Sequence, residues 1–227
     1  WKREAALSII AERKRWEVTP DDGKRVVFPW NKYDAAKTAG NGKGAHGRTQ
    51  YLVLVKGLEN EGPFVFTTKG AASQAFEDYR NAGAVLTRFS NTVIRAANAA
   101  SDAAAKKGGK TAGKRWPFRA FWLPVGADRD AKDQPNYTEV GRTAKSKVVL
   151  PVALGLPDKA EQVDLKRFYV GNDLLTTVNE LFDAAADWRA AWDNLKPGAV
   201  EGNGDAAQAE AQAEADKEDA ALAATGL

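Results

Sequence analysis

The chain has 227 residues, 28% of them charged, with a formal net charge of +3, one histidine and no cysteine. The lack of cysteine excludes disulfide stapling, thiolate catalysis and cysteine-based zinc sites. No apolar run approaches the ~20 residues needed to cross a bilayer, so the chain reads as soluble, with no membrane partner.

The first strand signal is Lys24–Trp30, β-branched and aromatic, ending where Pro29 demotes it to an edge or a bulge. It is followed by a glycine-basic loop, Ala39–Arg48, whose stretch Gly42–Thr49 has phosphate-loop spacing with Arg48 in place of the lysine. That loop leads into a strand instead of a helix, so nucleotide hydrolysis is not expected. Thr49–Lys56 and Pro63–Lys69 then read as a hairpin around a loop closed by Gly57 and Gly62. Phe64 and Phe66 are assigned to its core side.

From about Ala71 to Ser101 the spacing predicts a long helix, with Leu86, Phe89, Val93 and Ala97 on one stripe and a break at Gly83. A second glycine-basic loop, Lys106–Arg115, feeds an aromatic strand, Arg115–Leu123. Another strand is expected over Lys147–Leu154. A second long helix is expected with Asn172 as its N-cap and Leu174, Val178, Leu181, Ala185, Trp188, Trp192 and Leu195 as a seam. One such seam needs one partner surface, either the chain's own sheet or the same helix of a second copy. Leu175 and Phe182 widen it as a core helix does.

Lys196-Pro197-Gly198 ends that helix. Residues 198–227 carry seven acids against the single base Lys217, which leaves residues 1–197 at +9. The expected organisation is therefore a single basic α+β binding domain over 1–197 and a flexible, acidic, Ala-rich, low-complexity tail over 198–227. The fold expected for the body is a small antiparallel sheet or OB-like barrel decorated by two long helices, because nothing alternates regularly enough for a parallel βαβ sheet. A start on Trp1 with no methionine anywhere predicts further residues before it.

Catalytic constellations are scarce. His46 is the sole histidine and sits in a glycine loop. Asp128, Asp130 and Asp133 form a D-x-D-x-x-D cluster that lacks the glycine and closing glutamate of a calcium loop. No enzyme, metal site or cofactor is expected.

A basic body calls for an acidic partner. On Arg115–Leu123 the period-two reading puts Trp116, Phe118 and Trp122 on one face and Arg115, Arg119 and Phe121 on the other, so both faces carry aromatic bulk. Rings beside cations suit an unpaired nucleic-acid strand, in which bases stack and phosphates are neutralised. Trp116, Phe118, Trp122 and Tyr51 are the expected stacking residues. Lys43, Arg48, Lys107, Lys110, Lys114, Arg115 and Arg119 are the expected phosphate contacts. Trp30, Lys32 and Tyr33 repeat the basic-aromatic mixture and rank second.

A basic, aromatic-studded body of short strands with an acidic C-terminal tail resembles the single-stranded DNA-binding proteins of bacteria and phages. The resemblance is architectural. It implies an OB fold with a stacking groove, sequence-tolerant binding of single-stranded DNA or RNA, and a cytoplasmic location in a bacterial or phage-infected cell. It also implies a tail, here Glu210–Asp219, that recruits replication or recombination proteins and competes for the groove. The alternative is a structural or assembly protein that forms a homo-oligomer through Leu174–Leu195.

Overall fold

The computed structural model describes residues 4–21, 23–41, 44–140 and 146–200. In chain order its strands are β1 (Glu4–Val18), β2 (Val26–Pro29), β3 (His46–Val55), β4 (Phe64–Lys69), β5 (Leu123–Ala127), β6 (Tyr137–Val140), β7 (Ser146–Val149), β8 (Pro151–Ala153) and β9 (Ala199–Val200). Its helices are α1 (Tyr33–Ala39), α2 (Ala71–Glu77), α3 (Val85–Phe89), α4 (Arg95–Lys107), α5 (Leu165–Phe168), α6 (Asn172–Ala184) and α7 (Ala186–Asp193). The described residues form two units, one of Glu4–Lys14 with Gly47–Ala190, the other of Arg15–His46 with Ala191–Val200.

The larger unit is α+β around an open antiparallel sheet, with strand order β4-β3-β1 and then β5 and β8; it does not close into an OB-like barrel. The hairpin expected around Gly57–Gly62 is present, with Tyr51 opposite Phe66 and Val53 opposite Phe64. Alternation along β3 sends Tyr51 and Val53 to one face and Leu52 and Leu54 to the other. The first face packs on Phe76 of α2, Val85 and Phe89 of α3, and Val93 and Ala97 of the following helical turns. The second face packs on α6 and α7 through Ile10, Trp122, Val178 and Ala185. A sheet covered on both sides places apolar side chains at successive positions, as this chain does.

The helix expected over residues 71–101 divides near Gly83 into α2 and a run from Val85 to Lys107, within which Ser90–Ile94 widens into one π turn. The Thr92 hydroxyl bonds to the Arg88 carbonyl at 2.8 Å in that turn. The seam helix is interrupted at Ala185, where α6 gives way to α7. Its cap is Gly171 instead of Asn172: at φ 95° the backbone is in a region that favours glycine, and the helix starts one residue earlier than the cap rule implies. Leu174, Val178, Leu181, Ala185 and Trp188 all pack on the unit's own sheet.

The 15-residue strand β1 has no counterpart among the sequence expectations. The Ala6 carbonyl of β1 accepts from the Lys56 N–H at the end of β3, so the backbone groups of the even-numbered residues point toward β3. The odd-numbered residues face β5, which covers that edge only over Glu4–Leu7. The β5 ladder does not extend to Ile9–Arg13, where β1 keeps β3 as its neighbour in the sheet. Arg13 is buried there: its guanidinium donates to Gln50 Oε1 at 2.9 and 2.7 Å and lies 4.4 Å from the Trp188 ring centroid.

In the smaller unit, the last residues of β1 pair with β2, and β2 pairs with β9. Val18, Phe28 and Ala36 form the core. Arg15 is buried, bonded to Glu17 at 2.9 Å and 4.5 Å from the Trp192 ring. Residues 199–200, expected to open the tail, instead form β9. The rest of the expected tail, including Glu210–Asp219, lies outside the described residues. Among the described residues no helix is long and apolar enough to cross a membrane.

Candidate nucleic-acid interface

The expected aromatic strand Arg115–Leu123 is not a strand. Pro117 has no N–H for a ladder, and its carbonyl accepts from Ala120, which opens a 3₁₀ turn over Phe118–Ala120. Strand geometry begins only at Leu123. Trp122 is 5% exposed, against Ile10, Leu54 and Val178 of the core. Tyr51 is 0% exposed, with its hydroxyl donating to Glu77 Oε2 at 2.8 Å. Neither ring is placed to stack on a base, which corrects the expectation for both.

Trp116 and Phe118 are half-buried. Trp116 packs edge-on against Phe121 and Tyr169, and Phe118 lies 5.8 Å from Phe89. Arg119 turns inward: its Nε donates to Asn179 Oδ1 at 2.7 Å and its guanidinium lies 4.1 Å from the Phe182 ring. Burial lowers its pKa. Arg48 is half-buried in the hairpin, opposite Lys69. Lys43 lies outside the described residues.

The second glycine-basic loop is held by specific bonds. Asp102 on α4 accepts from Gly113 N–H at 2.9 Å and from Arg115 Nη1 at 2.9 Å, Asn98 accepts from Trp116 N–H, and Ser101 Oγ donates to the Lys114 carbonyl. The Gly113 N–H and then Arg115 hold the Asp102 carboxyl below the ordinary range. Lys107, Lys110, Lys114 and Arg115 are thereby presented at the surface. Beside them, Ser90, Asn91, Arg95, Asn98 and Arg115 line an open polar groove of about 390 Å³. Basic side chains on a fixed loop beside a polar groove can neutralise phosphates.

Gly113 is the keystone, because a Cβ at that position would lie 2.4 Å from the Ser101 backbone. Gly113→Ala is expected to cost about 1–3 kcal/mol by overpacking. It should release residues 108–117, seen as faster amide exchange there; unchanged exchange would show that the loop does not depend on this contact.

In the smaller unit three rings assemble at one surface. The Lys32 N–H bonds to the Pro29 carbonyl, closing a turn that carries Trp30, and Tyr33 opens α1. Trp16, on β1 opposite Phe28, stacks on Trp30 with centroids 4.1 Å apart and planes 6° apart, and lies 4.8 Å from Tyr33. Trp16 Nε1 donates to the Trp30 carbonyl at 2.7 Å. Trp30 remains 39% exposed and Tyr33 46%, with Lys32 exposed between them in sequence. Trp16 escaped the sequence reading; its signal is the alternation of Lys14, Trp16 and Val18 against Arg13, Arg15 and Glu17.

The expected site residues therefore divide. Trp30, Lys32 and Tyr33 belong to one unit; Arg48, Lys107, Lys110, Lys114, Arg115, Trp116, Phe118 and Arg119 belong to the other. His46 is an exposed residue at the start of β3, and no helix follows the glycine loop. Asp128, Asp130 and Asp133 act in turns: Asp130 accepts from the Lys132 and Gln134 N–H groups, Asp128 from Asn136, and Asp133 pairs with Arg129. No cluster able to hold a metal ion occurs among the described residues. No protein-family model, curated protein or solved structure matches the chain.

Proposed function

We propose that the protein binds single-stranded nucleic acid without sequence preference, by stacking bases on Trp30 and Tyr33 and neutralising phosphates with Lys32. The observation that supports this reading is the Trp16–Trp30–Tyr33 cluster, in which two partly exposed rings are supported from beneath by a third and flanked by a lysine. Core packing does not account for rings left this open, whereas stacking accepts any base because every base has a π face.

The test is titration of the full chain with oligo-dT, followed by tryptophan fluorescence and anisotropy at two salt concentrations. Wild type is expected to bind, with affinity falling on added salt at a log-log slope of about −0.7 per neutralised phosphate. Trp30→Ala combined with Tyr33→Ala is expected to lose about 1–3 kcal/mol per stacked base. The Trp16–Trp30 hydrogen bond uses a backbone carbonyl, so it can survive the substitution. No binding at low salt, or equal binding by the double variant, would defeat the proposal; tighter binding to duplex would replace it with a duplex reader.

A further inference from the structure

In the larger unit a cavity of about 320 Å³ opens beside the part of β1 that β5 leaves uncovered. Ile9, Ile10, Leu86 and Phe118 supply apolar walls. Two cations share the same lining: the Arg119 and Arg189 guanidiniums lie 4.1 and 4.0 Å from the centroid of one ring, Phe182. Arg119 spends its Nε on Asn179 and Arg189 spends Nη1 on the Phe182 carbonyl, which leaves further N–H donors on each five-donor fork. Among the described residues neither guanidinium has a carboxylate within ion-pair distance. Glu12, also at the lining, is engaged with Lys14 at 3.7 Å.

Two like charges beside one ring repel each other, and the penalty grows where apolar walls reduce screening. Burial and the neighbouring Arg189 both disfavour the charged form of Arg119, with Asp183 opposing them. An oxyanion would relieve that repulsion and accept the remaining donors. A neutral apolar ligand would do neither. Cavities of roughly this size, apolar with a few convergent polar groups, are typical small-ligand sites.

We propose that this cavity binds a small amphiphilic oxyanion, its carboxylate or phosphate head held by Arg119 and Arg189 and its single-chain or single-ring apolar body against Ile9, Leu86 and Phe118. The site is separate from the nucleic-acid reading and stands or falls without it.

Calorimetric titration of the full chain with octanoate, octyl phosphate and octanol tests the proposal. At least one anion is expected to bind about tenfold or more tightly than octanol, the loss expected when charge-assisted hydrogen bonds go unmade. The tighter anion identifies the head group. Arg189→Gln should remove most of that preference. Leu86→Trp, which fills the cavity with a larger apolar side chain, should abolish binding of all three and carries the test if the arginine variant fails to fold. Equal binding of octanol and both anions, unchanged anion binding in either folded variant, or no saturation by either anion below about 10 mM would overturn the assignment.

Discussion

Trp122→Ala is expected to lower the unfolding free energy by about 3–5 kcal/mol, the cost of removing a large buried aromatic and leaving a cavity. The indole lies where β5 begins, between Ile10 and Leu54 of the sheet and Val178 of α6, and is 5% exposed. Its neighbours are held by the backbone bonds of a sheet and a helix, so they collapse only partly into the space. The same variant, assayed where it is still folded, should bind oligo-dT as wild type does. Urea denaturation measures the first quantity and anisotropy the second. A variant of wild-type stability that has lost binding would reverse the assignment and restore Trp122 to the interface.

Glu77→Gln should cost about 3 kcal/mol, because it removes the charge and replaces one accepting oxygen by an NH2 donor at the centre of a largely buried polar cluster. Glu77 accepts from Thr49 Oγ1 at 2.6 Å, Tyr51 Oη at 2.8 Å and Ser73 Oγ, and pairs with Lys14 Nζ at 3.0 Å. Burial pushes the Glu77 carboxyl up, but the hydrogen bonds from Ser73 and Thr49 and the Lys14 charge outweigh it, and the group sits below its ordinary value of 4.5. Burial first, then the charge of Glu77, pushes the Tyr51 phenol far above its usual range, so it stays a donor. A carboxyl whose folded pKa is depressed contributes stability that is fully present above its unfolded value and is lost as pH falls through its folded value. Wild type should therefore lose stability as pH drops below about 4.5, and Glu77→Gln should flatten that acid limb. Denaturation midpoints between about pH 3 and 7 measure it; an identical acid limb in the two proteins would assign the pH dependence to other carboxylates.

The hairpin of β3 and β4 was legible because alternating apolar residues and two loop glycines act locally, and the break at Gly83 was legible for the same reason. The seam of α6 was also visible, including its wide stripe, which fits its packing on the chain's own sheet. β1 was hidden by its charges. Arg13, Arg15 and Glu17 lie on a strand face that would read as solvated, yet all three are buried, because Trp188 and Trp192 take the guanidiniums on their ring faces and Gln50 and Glu17 accept their hydrogens. That arrangement joins residues more than 170 positions apart, so the local alternation does not by itself show that the charged face is buried.

The candidate site is only partly legible for a related reason. Aromatic bulk on alternate faces of 115–123 implies one face left for bases, whereas helices cover the sheet on both sides and Pro117 ends the extended run. The exposed pair Trp30 and Tyr33 was visible, but the ring that supports them, Trp16, belongs to the strand that went unseen.

The uncovered edge of β1 carries a hazard of its own. A strand edge that no neighbouring strand pairs is a template on which a foreign extended segment can add by main-chain pairing, the usual route to runaway self-assembly. The inward guanidinium at position 13 works against that outcome: a segment laid along this edge must seal a positive charge further from water or dislodge it from the indole and amide that hold it. The same arginine that obscured the strand in the sequence thus also guards its edge.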